Sequence, residues 1–198
     1  MSPRPDVSEE RKDQILDAAS EIFAEKGIHE ARMDDIVAKS GLSKGTLYWY
    51  FKGKDDILLG IFDRMFRREF EVIDKLVDED GTASERLMIY MEAGLKDIKR
   101  MMRFIPITYE FLSLAFRSKF IQEAFKRYIN QYMDAMVPII EQGIASGEFK
   151  EVNALNVAIA AGAIFEGTLL LWVYDNNLVN PEKHIRAGIQ LLMDGIKT

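Results

Sequence analysis

The chain has 198 residues, 10 of them Met, with 26 basic and 32 acidic side chains and a net charge of −6. Val and Thr together number 14 against 17 Ala, and Gly at 13 with Pro at 5 is sparse, a balance that favours helices over strands. With no Cys and only His29 and His184, there is little basis for disulfides, thiolate metal sites or imidazole chemistry, so no catalytic residue, metal or cofactor is expected. The acidic excess argues against non-specific coating of nucleic acid and leaves room for a local basic site.

The opening Met1–Glu10 has neither an apolar run nor a basic cluster, so no targeting segment is expected there. Ser8 can cap a first helix with Glu9 and Glu10 in its first turn, where the helix dipole favours acids. Its apolar residues Ile15, Ala18, Ala19, Ile22 and Phe23 recur at helical spacing, and Lys26-Gly27 closes it. A short second helix runs from Met33 to Lys39 and stops at Gly41; a third, capped by Ser43, covers Lys44 to Tyr50. Asp55 and Asp56 open a long fourth helix with Ile57, Ile61, Phe62 and Phe66 on one stripe, ending at Asp80-Gly81.

Thr82 and Glu85 form a capping box for a fifth helix extending through Leu87, Met91, Leu95 and Ile98 to Met102. Pro106 suits the first turn of a sixth. Ser118 caps a seventh that reaches Ser146-Gly147 with Pro138 inside it. The eighth is the apolar run Val152–Tyr174, and Asn180-Pro181 starts a ninth carrying Ile185, Ile189, Leu192 and Ile196. Val152–Tyr174 has the length of a membrane span, but Glu166 sits within it, Asn153 and Asn156 lie at one end, and no basic cluster flanks it. It reads as a helix of a soluble protein, with no membrane partner. The expected fold class is all-α with about nine helices. Short helices give way to long ones near residue 54, so the expected division is 1–54 and 55–198.

The second and third helices are joined by Ser40-Gly41-Leu42-Ser43, a short glycine-containing connection of helix-turn-helix type, whose second helix enters the major groove. From Lys39 to Lys54 there are four lysines and no acid, although residues 1–58 carry 9 basic against 12 acidic side chains, so the basic patch is local. Tyr48-Trp49-Tyr50 cannot all face inward, because successive residues are ~100° apart around a helix. At least one large ring must face out beside the lysines, which points to a nucleic-acid face.

The string Gly41-Leu42-Ser43-Lys44-Gly45-Thr46-Leu47-Tyr48-Trp49-Tyr50-Phe51-Lys52-Gly53-Lys54 resembles the TetR family of bacterial transcriptional regulators. Ile22–Gly27 and Asp35–Ala38 are similar to that family's first and second helices, and the resemblance covers residues 8–60. It implies an N-terminal three-helix DNA-binding domain joined to a larger helical ligand-binding and dimerisation domain. Tyr50 and Lys54 correspond to phosphate anchors, assisted by Ser43 and Thr46; Lys44, Gly45 and Tyr48 correspond to residues presented to base edges. Many members open the second helix with Thr; this chain has Ala31-Arg32, leaving Arg32 as the substitute phosphate contact.

The implied protein is a cytoplasmic homodimeric repressor that binds an inverted-repeat operator in double-stranded DNA and is released by a small, largely apolar inducer. The competing reading, a helical small-molecule binder without DNA function, leaves the recognition-helix string unexplained. Small residues on the eighth helix (Ala158, Ala161, Gly162) and the stripe Ile185, Ile189, Leu192 on the ninth are the expected dimer interface. Met91, Met102, Tyr109, Phe111, Met133 and Trp172 are the expected apolar ligand residues, with Glu166 as the polar member that needs a partner.

Overall fold

The computed structural model describes residues 7–77, 81–96 and 98–198. Among these the elements are α1 (Val7–Glu30), α2 (Met33–Ser40), α3 (Lys44–Tyr50), α4 (Lys54–Val77), α5 (Ala83–Lys96), α6 (Ile98–Ala115), α7 (Lys119–Ala145), α8 (Ala154–Tyr174) and α9 (Pro181–Ile196). The all-α expectation holds. The caps at Thr82 and Asn180 form as the sequence suggests, whereas Ser8, the expected first cap, lies inside α1, which is already helical at Val7. Thr82 Oγ1 accepts from Glu85 N at 3.2 Å while Glu85 Oε2 accepts from Thr82 N at 2.9 Å, a complete capping box. Asn153 Oδ1 accepts from Asn156 N, and Asn180 Oδ1 from Lys183 N, both at 2.9 Å, and Pro181 occupies the first turn of α9.

One boundary differs from expectation: the chain is already helical from Ile98, which places position 106 well inside α6, while the junction with the fifth helix falls at residue 97, outside the described residues. The burial pattern explains the continuity of α6: Ile98, Ile105, Ile107 and Phe111 are all buried along it, and packing overrides a proline start signal. The expected stop at Asp80 lies outside the described residues.

One compact unit takes in the chain up to Arg67 together with Arg103–Phe125, so it extends past residue 54, where the sequence changes character. Ile57, Leu58, Ile61 and Phe62 of α4 are buried in the same cluster as Ile15, Leu16, Ala19 and Phe23 of α1, Ile36 of α2 and Leu47 of α3. Phe111 joins that cluster, stacked on Phe62 with ring centroids 3.9 Å apart and 15° between planes, and Phe125 lies 5.2 Å from Phe111. α1 turns sharply at Gly27 (φ 76°, ψ 158°), a positive-φ extended conformation essentially confined to glycine that costs other residues about 1–3 kcal/mol.

The second unit comprises Arg68–Met102 and Lys126–Thr198. Within it α8 packs closely on α9: a Cβ added at Gly188 would lie 2.7 Å from Ile164 Cγ2. Glu148 caps α5, its two carboxylate oxygens accepting from Ala83 N and Ser84 N at 2.9 Å each. Burial raises the Glu148 carboxyl, but the hydrogen bonds from Ser84 and Ala83 outweigh it and hold the group below its ordinary value. Arg86, largely buried, donates to Gln142 Oε1 at 2.5 Å.

Candidate nucleic-acid interface

The turn between α2 and α3 is built from both ends. Gly41 adopts φ 68°, ψ 9°, and its N–H donates to Val37 O at 3.2 Å, closing α2 in the left-handed manner that suits glycine. Ser43 Oγ then accepts from Thr46 N at 3.0 Å and lies 2.8 Å from Thr46 Oγ1, so both hydroxyls are occupied in starting α3. Leu47 is 0% and Phe51 4% exposed, anchoring the inner face of α3. The outer face consequently presents Lys44, Gly45, Tyr48 and Trp49 to solvent. Trp49 is 74% exposed and Tyr48 45%, as the three-aromatic argument requires of at least one ring.

The lysines of this face are not equivalent. Lys44 Nζ is 2.7 Å from Asp34 Oδ1, and Lys39 Nζ is 2.6 Å from Glu21 Oε2; these hydrogen-bonded carboxylates hold both ammonium groups above the ordinary Lys value. Arg32, Lys52 and Lys54 make no ion pair within 4 Å among the described residues. Arg32, Lys44, Tyr48 and Lys54, with His29 and Asp34, line an open concavity of about 470 Å³. The structure therefore gathers four of the eight expected DNA residues around one hollow.

Arg32 occupies the cap position of α2 with extended backbone (φ −110°, ψ 151°), and its N–H donates to Asp35 Oδ2 at 2.9 Å. Asp35 thus satisfies the amide of the cap residue itself, the reciprocal half of a capping box, and Arg32's side chain stays exposed. Lys26 donates to Asp35 Oδ1 at 2.9 Å; this bond first, then the Arg32 amide, holds the Asp35 carboxyl below its usual range. Tyr50 is half-buried against the core and its hydroxyl donates to Ser8 Oγ at 3.4 Å. Lys54 Nζ donates to Ile28 O at 2.7 Å and His29 O at 3.0 Å, gripping the turn that follows Gly27. Two residues of this face are absent from the set expected on sequence. Trp49 is signalled by the aromatic run, whereas Asp34 pairs with Lys44 across ten positions and has no local signal.

The expected ligand residues fall in both units, Tyr109 and Phe111 in the first and Met91, Met102, Met133, Glu166 and Trp172 in the second. Phe111, 1% exposed in its stack with Phe62, lies in the first unit's core. Glu166 stands on an exposed side of α8, where desolvation by its surroundings pushes its carboxyl up. Met91 is buried, and Met102, Tyr109, Met133 and Trp172 are half-buried. An open groove of about 600 Å³ between α5 and α9 is lined instead by Met88, Ile89, Ala93 and Leu95, with the Glu92–Arg186 ion pair at its edge.

The expected dimer residues differ in exposure within the single chain. Ala158 and Ile185 are 0% and Ile189 9% exposed within the single chain. Gly162 faces Tyr132, whose ring would lie 3.6 Å from a Cβ added at that glycine and whose hydroxyl donates to Ala158 O at 3.2 Å. The small residues of α8 thus admit α7 of the same chain, and the α9 stripe packs on α8. Ala161 and Leu192 are half-buried. The apolar surface left open is the opposite face: Leu155, Ile159, Ala163, Val173 and Tyr174 on α8, and Ala187 and Leu191 on α9. α8 has the length and apolar character of a membrane span, and most of it lies on the chain's surface.

A family model for bacterial regulatory proteins of the tetR family matches residues 15–61, and one for the C-terminal region of QacR-like proteins matches residues 71–198. The chain is 28% identical over 186 residues to a fatty acid metabolism regulator protein of Bacillus subtilis, covering 92% of this chain and 94% of that one. It is 27% identical over 190 residues to the transcriptional regulator QacR of Staphylococcus aureus, covering 93% and 97%. Among solved structures, the transcriptional regulator FadR from Bacillus subtilis in complex with stearoyl-CoA superposes with a TM-score of 0.75 at 25% identity, covering 93% of this chain and 98% of that one.

Proposed function

The chain belongs to the TetR family of bacterial regulatory proteins, and from that premise we propose that it is a cytoplasmic, homodimeric repressor. It binds an inverted-repeat operator through α3 and is released by a small, largely apolar ligand. Residues 1–54 carry the DNA contacts, and 55–198 carry ligand binding and dimerisation. The observation that carries this reading is the capped α3, with Lys44, Gly45, Tyr48 and Trp49 on its open face above a hollow bordered by Arg32 and Lys54. Lys54, Arg32 and Tyr50 hold phosphates and set register, whereas Lys44 and Tyr48 meet base edges. Ser43 and Thr46 act by capping α3, and Gly45 by keeping the backbone close to the groove.

The open apolar face of α8 and α9 supports dimerisation there, the arrangement a palindromic site needs if two recognition helices are to reach successive major grooves ~34–36 Å apart. Burying that face against a second copy also accounts for an apolar helix on the surface of a DNA-binding protein. Met91, Met102 and Met133, whose side chains adapt to irregular apolar shapes, support an apolar ligand, and the stearoyl-CoA of the FadR structure makes long-chain acyl-CoA the first probe. The test is selection of bound duplexes from random DNA, then titration of stearoyl-CoA with and without the recovered duplex. The expected outcome is an inverted repeat whose presence weakens ligand binding by the factor by which ligand weakens DNA binding. Failure to enrich any duplex would overturn the DNA reading; equal ligand affinity in both titrations would overturn the inducer reading.

A further inference from the structure

Glu110 sits on α6, far in sequence from the recognition helix, yet its carboxylate is bound at the edge of the DNA-facing hollow. Oε2 accepts from Ile28 N at 2.9 Å and Oε1 from His29 N at 3.2 Å. The positive-φ Gly27 turns these two successive amides toward one acceptor. On the other side of the same two residues, the carbonyls of Ile28 and His29 accept from Lys54 Nζ at 2.7 and 3.0 Å. The turn is therefore held between an anion on its N–H side and a cation on its C=O side, and each orients the peptide groups for the other.

This arrangement has an electrostatic consequence for Lys54. Its partners are two neutral carbonyls, which fix the ammonium without cancelling its charge. Lys44 and Lys39 contrast with it, since each is held by a carboxylate that a phosphate would have to displace. Lys54 has a third N–H to give and lines the hollow with Arg32, Lys44 and Tyr48.

We propose that Glu110 is a positioning residue for DNA binding: by clamping the amides of Ile28 and His29 it presents the carbonyl seat that holds Lys54 ready for a phosphate. The inference rests on the reading of Lys54 as a phosphate contact. Without Glu110, two amides lose their acceptor, the turn relaxes, and Lys54 loses its fixed place, although α3 and its cap are untouched.

The experiment measures binding of a fluorescent duplex, recovered from random DNA by the wild-type protein, against salt concentration. The proteins are wild type, Lys54→Ala, Glu110→Ala, Glu110→Gln and the double variant Glu110→Ala/Lys54→Ala, each checked for fold by circular dichroism. Lys54→Ala is expected to lower the salt slope by about one and the affinity on the order of tenfold. Glu110→Ala should reproduce both changes, and the double variant should bind like Lys54→Ala alone, because both substitutions remove the same contact. Glu110→Gln retains one acceptor oxygen and should fall between wild type and Lys54→Ala, which keeps the test available if Glu110→Ala does not fold. A Glu110→Gln slope equal to wild type, or additive losses in the double variant, would overturn the positioning role while leaving Lys54 as a phosphate contact. An unchanged slope in Lys54→Ala would overturn both.

Discussion

Replacing Leu191 by Asp separates the two candidate dimer faces. Leu191 is 73% exposed in the single chain, so the substitution should shift the chain's own stability by no more than about 0.5 kcal/mol. In a dimer formed through the open face of α8 and α9, full burial of a Leu side chain is worth roughly 1.5–3 kcal/mol. A twofold interface contains each residue twice, giving roughly 3–6 kcal/mol before the cost of desolvating two carboxylates, or about a hundred- to ten-thousand-fold in the dimer dissociation constant. Sedimentation equilibrium should show monomers with unchanged helical content, and operator affinity should collapse because both half-sites must be engaged together. Ile185→Asp is the counterpart: Ile185 is 0% exposed inside the chain, so that variant should lose its fold at any protein concentration. A Leu191→Asp protein that remains dimeric, or an Ile185→Asp protein that is a folded monomer, would refute the assignment.

Phe111→Ala, which empties the stack on Phe62, should destabilise the first compact unit by about 3–5 kcal/mol in denaturant titrations without a change in ligand affinity per folded molecule. Gly41→Ala should lower the melting temperature through backbone strain of about 1–2 kcal/mol alone, since no atom lies within 4 Å of the added Cβ. Asp35 has its carboxyl lowered in the folded chain, first by Lys26, so its contribution is present above the usual Asp range and lost as pH falls through the folded value. Acid titration of stability should therefore be shallower in Asp35→Asn than in wild type at the low-pH end. Trp49→Ala should weaken duplex binding and leave the melting temperature within the error of surface substitutions, its ring being 74% exposed.

The sequence by itself determined what depends on neighbours along the chain. Caps are interactions over three or four residues, so Ser43, Thr82 with Glu85 and Asn180-Pro181 announce their helices before any packing is known. The recognition helix was legible for the same reason: Gly41, the Ser43 cap and the aromatic run lie within a dozen residues, and helical periodicity alone requires a ring to face outward. Only the tertiary structure decided which of several apolar faces meets which neighbour. An alanine-and-glycine face on α8 and an isoleucine stripe on α9 are equally suited to packing within a chain or between chains, and here the intrachain contacts with Tyr132 and between the two helices take them. Where Phe111 and Glu166 sit follows the same rule, because burial belongs to the assembled packing and not to a residue's own pattern. Glu110 could not be read at all: its two acceptor oxygens meet amides more than eighty positions away, and no local period encodes a contact that only the folding of α6 against the Gly27 turn creates.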